Sequence, residues 1–131
     1  MAADTDEDVR WPVAAARAAD AKNATDVVVL EVGEVLAVCG LFVIASAPND
    51  RLVRAIAEEI EKVVGEAGGP KPIRTEGLDD LRWVLLDYGD FVAHVFLQES
   101  RDYYDLERLW SDVPRIDWRQ EQPPDQDEAA G

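Results

Sequence analysis

Two runs of apolar and β-branched residues, Trp83 to Asp87 and Phe91 to Gln98, flank Tyr88-Gly89. This is the length and kind of connection a β-hairpin uses. Side chains alternate across a strand, so a two-residue turn at Tyr88-Gly89 pairs Asp87 with Asp90, Leu85 with Val92 and Trp83 with His94. These six then share a face with Phe96, while Val84, Leu86, Phe91, Ala93 and Val95 form the other. The second set is wholly apolar and reads as core. The first mixes a tryptophan, the only histidine and two aspartates, a composition suited to a half-wet contact surface.

The rest of the chain supplies elements to cover such a hairpin. Asp26 to Val32 and Leu41 to Ser46 are short β-branched runs bounded by Gly33, Gly40 and Pro48, and read as buried strands. Asp8 is positioned to cap a first helix, with Pro12 in its first turn and an alanine-rich run from Val13 to Ala24. Asn49 caps a second helix to about Ala67, with Leu52, Val53, Ile56, Ile60, Val63 and Val64 at helical spacing. A short extended piece follows around Ile73 to Thr75. Ser100 caps a last helix from Arg101 to about Ser111, placing Tyr103, Leu106 and Trp110 on one face and Tyr104 near Arg101 and Arg108, off that stripe. The order α-β-β-α-(β)-β-β-α predicts an α/β (α+β) fold, a sheet of four to five strands with three helices. Residues 1–8 and 117–131 are acidic and poor in large apolar side chains, so they are expected to be disordered around a domain at 9–116.

At 131 residues the chain suits one core. Its net charge of −15 repels phosphate-rich partners, because non-specific nucleic-acid binding works by counterion release at Lys and Arg. Specific nucleic-acid recognition is not expected, and the favoured partner is basic protein surface. The acidic start and the lack of any run of eighteen apolar residues point away from a secretory signal or a membrane span and toward the cytoplasm. The single cysteine, Cys39, excludes an internal disulfide and any zinc site needing two cysteines. No metal or cofactor is expected.

Each singled-out residue has a bland reading beside the functional one. Trp83 is either core or, with Tyr88, an aromatic anchor for a partner. His94 is a structural histidine or a general base; Cys39 sits in an apolar run that favours inert burial over a reactive thiolate. Asp87 and Asp90, or Asp79-Asp80, bond local backbone or hold magnesium. Gly68-Gly69-Pro70 follows a helix, whereas phosphate-binding loops precede one. The rivals to a binding module are a magnesium-dependent nucleotidyltransferase using Asp87 and Asp90, and a homodimeric adaptor pairing through its own hairpin face.

The motifs Glu76-Gly77, Trp83 to Asp90, His94-Val95-Phe96 and Arg101 to Trp110, in that order and spacing, resemble the ribosomal silencing factor (Iojap-like) family over roughly residues 10 to 112. Where that family carries Thr-Asp and an aromatic before Phe-Val-Ile, this chain has Cys39-Gly40-Leu41. The resemblance implies that the sheet is a mixed β-sheet of nucleotidyltransferase-like topology without the catalytic motif, and hence no enzymatic activity. It implies a translation repressor that binds the fourteenth protein of the large ribosomal subunit and blocks subunit joining when nutrients fall. The partner-binding residues it suggests are Trp83, Leu85, Asp87, Tyr88, Asp90 and His94 on the hairpin, and Arg101, Tyr104 and Arg108 on the last helix.

Overall fold

A computed structural model describes residues 2–33, 40–105, 108 and 111–119, with backbone alone for 2–8. The described elements are α1 (Ala2–Ala21), β1 (Thr25–Glu31), β2 (Leu41–Ala47), α2 (Asp50–Glu66), β3 (Arg74–Glu76), β4 (Trp83–Asp87), β5 (Phe91–Leu97), α3 (Gln98–Tyr104) and β6 (Arg115–Ile116). They build one mixed sheet of order β3-β4-β5-β2-β1-β6. β2 lies at its centre, parallel to β5 and antiparallel to β1. All seven of its residues are buried, which is why its sequence is apolar almost throughout rather than alternating.

One face is covered by α1 and α2. The small buried residues Ala15, Ala16, Ala18 and Ala19 let α1 lie close to the sheet, and α2 adds Val53, Ile56, Ala57, Ile60 and Val64 from a single stripe. Asn49 caps α2 as its sequence predicts, its Oδ1 accepting the Leu52 N–H at 2.8 Å. The other face carries a second apolar cluster of Leu30, Val32, Phe42, Ile44 and Phe96, with Val28, Trp83, Val92 and Val113 packed against it.

Several expectations are corrected. The sheet has six strands, not four or five, because the chain returns after Pro114 and lays β6 on the open edge of β1. Trp118, assigned above to the disordered tail, is buried in the helix-side core, and its indole N–H donates to the Val27 carbonyl at 3.0 Å. Residues 120–131 lie outside the described residues. α1 starts at Ala2, so Asp8 is inside the helix rather than its cap and Pro12 is internal.

The last helix starts at Gln98, with no side-chain cap, and Ser100 falls inside it. Gln98 is drawn there because its Oε1 accepts from Ser46 Oγ and Thr25 Oγ1, both at 3.1 Å, so the chain turns helical directly after β5. The helix ends at Tyr104, before Asp105 in the left-handed region (φ 50°). Leu106 and Trp110, expected on its apolar stripe, lie outside the described residues.

The hairpin register is shifted by two. Trp83 stands opposite Phe96, Leu85 opposite His94 and Asp87 opposite Val92. The turn is Gly89-Asp90, closed by the Tyr88 N–H bonding the Phe91 carbonyl at 2.9 Å, with Gly89 at φ +88°. A shift of two keeps every strand residue on its expected face, since the side-chain period is also two. It does move Asp90 off the face into the turn.

Candidate functional site

The hairpin face away from α1 and α2 gathers an aromatic group. Trp83 packs at 4.9 Å on Phe96 and at 4.8 Å on Tyr104, while His94 meets Phe42 edge-on at 4.6 Å. The Trp83 indole N–H donates to His94 Nδ1 at 3.0 Å. That bond requires an unprotonated Nδ1 and so places the ring proton on Nε2. Nε2 is buried and has no hydrogen-bond partner among the described residues. Burial pushes the His94 pKa down to about 4.

This shift has a measurable consequence. Above about pH 6.5 the ring is neutral in both folded and unfolded chains. As pH falls toward 4 only the unfolded chain takes up the proton, so His94 is expected to withdraw about 3 kcal/mol of stability across that window. Below it both states are charged and the dependence flattens. Urea denaturation from pH 4 to 7.5, compared with His94→Gln, isolates the effect. Parallel curves for the two proteins are incompatible with a neutral buried ring.

Around this pair, Trp83, Leu85 and Val92 are half-buried, forming a strip at the β4–β5 surface. Arg74 and Glu76 on β3 extend it with charge; Arg74 bridges Glu76 at 3.2 Å and Asp87 at 3.4 Å. At one end Tyr104 (49% exposed) lies over Trp83, and Tyr103 (81% exposed) stands edge-on to Tyr104 at 5.1 Å. Tyr103, expected on the buried stripe, is thus the most exposed large hydrophobic described.

The other expected site residues divide. Asp87 Oδ1 accepts the Gly89 N–H at 2.9 Å, so its carboxylate braces the turn while also holding Arg74. Asp90 and Arg108 are exposed. Tyr88 is not on the aromatic face: it is buried on the helix side, stacked on Phe91 at 4.5 Å, and burial with nearby Glu61 raises its pKa. Arg101 is also buried. Its Nη1 donates to Ser46 Oγ at 3.0 Å and the Thr25 carbonyl at 3.3 Å, tying α3 to the end of β1 and β2.

Sequence reasoning missed this tie of Thr25, Ser46, Gln98 and Arg101. Its one visible trace is Ser46, a hydroxyl in an otherwise apolar strand, since a buried hydroxyl needs a partner. Among the described residues no group of three or more His, Cys, Asp and Glu side chains is placed to hold a metal ion, and none of their helices is long and apolar enough to cross a membrane. Asp80 is engaged with Arg82 at 3.5 Å. Cys39 lies outside the described residues.

The chain is 43% identical over 103 residues to the ribosomal silencing factor RsfS of Bacillus subtilis, covering 79% of this chain and 86% of that protein. It is 30% identical over 92 residues to the mouse mitochondrial assembly of ribosomal large subunit protein 1, covering 69% of this chain and 40% of that protein. The crystal structure of protein CV0518 from Chromobacterium violaceum superposes with a TM-score of 0.73 at 32% identity, over 77% of this chain and 83% of that one. The profile of the family "Ribosomal silencing factor during starvation" matches residues 6–131, and the chain therefore belongs to the ribosomal silencing factor family.

Proposed function

We propose that this protein acts in the cytoplasm as a non-catalytic repressor of translation, binding the large ribosomal subunit through its fourteenth protein and blocking association with the small subunit under nutrient limitation. The carrying observation is the partly exposed strip of Trp83, Leu85 and Val92, continued by Tyr104 and Tyr103, on the face that α1 and α2 leave open. Aromatic residues set among half-buried apolar ones supply anchors for a protein partner, and a chain of net charge −15 favours a basic one. The mouse relative's name refers to assembly of the ribosomal large subunit. Steric exclusion requires no reaction.

The test is sedimentation of the full chain with isolated large and small subunits, followed by addition of the opposite subunit. Co-migration with large subunits and failure of joining is the expected result; absence from both peaks overturns the reading. Leu85→Arg places a charge in the strip and is expected to weaken large-subunit binding tenfold or more, about 1.4 kcal/mol, with unchanged circular dichroism. Asp90→Lys is expected to slow association and alter its salt dependence. Asp90 suits this better than Asp87, whose replacement also removes the turn's bracing bond. Self-association through the same strip would compete with the ribosome, and sedimentation of the free protein over a concentration series separates a homodimer from a monomer.

A further inference from the structure

Between α3 and the start of β4 lies an open cleft of about 540 Å³, lined by Trp83, Tyr103, Tyr104, Asp80, Arg82 and Glu99 among others. That is within the range of ligand-sized clefts, about 300–1,000 Å³. The tyrosine rings meet at 86°, making an open corner. Trp83 is flanked by Phe96 and Tyr104, whereas Tyr103, at 81% exposure, has its ring available to a visitor. Glu99 precedes Tyr103 by four residues on α3, so the carboxylate and the ring are neighbours on one helix face. Arg82, the cation lining the cleft, is held by Asp80 at 3.5 Å.

A planar cation satisfies this corner on both counts. A guanidinium stacks on an aromatic face and donates two parallel N–H bonds to a carboxylate, which a compact ammonium does not do together. A nucleic-acid base would also stack, but it brings phosphate toward Glu99, Asp80 and a strongly acidic chain.

We propose that this cleft accepts an arginine side chain from a basic protein partner, stacked on Tyr103 and paired with Glu99. The proposal rests on the reading of the aromatic strip as a partner-binding face and names the chemistry taken at its end.

The full-length protein is titrated with N-acetyl-Gly-Arg-Gly-amide, with its citrulline and lysine counterparts, and with a short uridine oligonucleotide, following the ring protons of Tyr103 and Tyr104 by NMR. The arginine peptide is expected to shift both rings saturably, the lysine peptide to bind at least threefold more weakly, and the citrulline peptide not to bind. Glu99→Gln and Tyr103→Leu are each expected to weaken arginine-peptide binding fivefold or more; both residues are exposed, so the fold is retained. Equal shifts from the citrulline peptide, no response to the arginine peptide, or a stronger response to the oligonucleotide overturns the proposal. Sedimentation of the same variants with large subunits keeps the two readings apart. Peptide binding without subunit binding refutes the ribosomal role alone, whereas subunit binding that survives both substitutions refutes the arginine cleft as a contact.

Discussion

Trp118→Ala is expected to destabilise the protein by about 3–5 kcal/mol, the usual cost of emptying a buried tryptophan site. In a domain of this size that lowers Tm by roughly 10 °C or more. The indole is 6% exposed and sits in the same cluster as α1 and α2. Its loss also strands the Val27 carbonyl it serves. Around it, Arg17 Nε donates to the Trp118 carbonyl at 3.3 Å and the Arg119 guanidinium lies 4.6 Å from the indole centre. Urea unfolding gives the check: a loss below about 1 kcal/mol would mean that the C-terminal strap rests on the surface instead of completing the core.

Gly77→Ala is expected to cost about 3 kcal/mol or more, from backbone strain with steric overlap added to it. Gly77 has φ +90°, and an added Cβ would stand 2.0 Å from the Trp83 carbonyl oxygen and 3.0 Å from the carbonyl carbon. Both obstacles are backbone, so no rotamer change relieves them. The Gly77 carbonyl meanwhile accepts the Leu81 N–H at 2.8 Å, fixing the loop that delivers Trp83 to the head of β4. The substitution should therefore lower thermal stability and weaken large-subunit binding together, read by calorimetry and by sedimentation. A melting temperature within 2 °C of the parent would show that the loop can move aside. The Glu76-Gly77 signature thus has a structural explanation at the glycine.

Much of the architecture is legible where sequence periodicity and burial coincide. α2 has a polar face, an apolar stripe and an asparagine cap, and it forms as read. The two hairpin faces are also legible, although the register is not. Tyr88-Gly89 and Gly89-Asp90 are both acceptable two-residue turns. Burying Tyr88 beside Phe91 on the helix side, with Asp87 free to brace the turn, selects the second. β6 is not legible, because two paired residues carry no period, and Ile116 and Trp118 are two lone apolar side chains in a polar stretch.

The contact residues were harder to read for a related reason: a side chain's type does not say whether its polar group faces inward or outward. Arg101 and Tyr103 exchanged their expected roles, the arginine buried against a β2 hydroxyl and a β1 carbonyl, the tyrosine left in solvent. The arginine's partners, Thr25 and Ser46, lie 76 and 55 residues away in sequence, beyond the reach of local pattern.

The pairing of β6 with β1 joins residues 115–116 to Val29 and Leu30, and so sets an order of events during synthesis. Until the ribosome has made and released the stretch through Trp118, the outer side of β1 has no strand beside it, and unpaired edges are where nascent chains mispair. Each copy therefore completes its own sheet only once residues 115–118 have emerged from the ribosome. A growing chain that has not yet released that stretch remains an open-edged intermediate, and the finished sheet belongs to a chain extended past it.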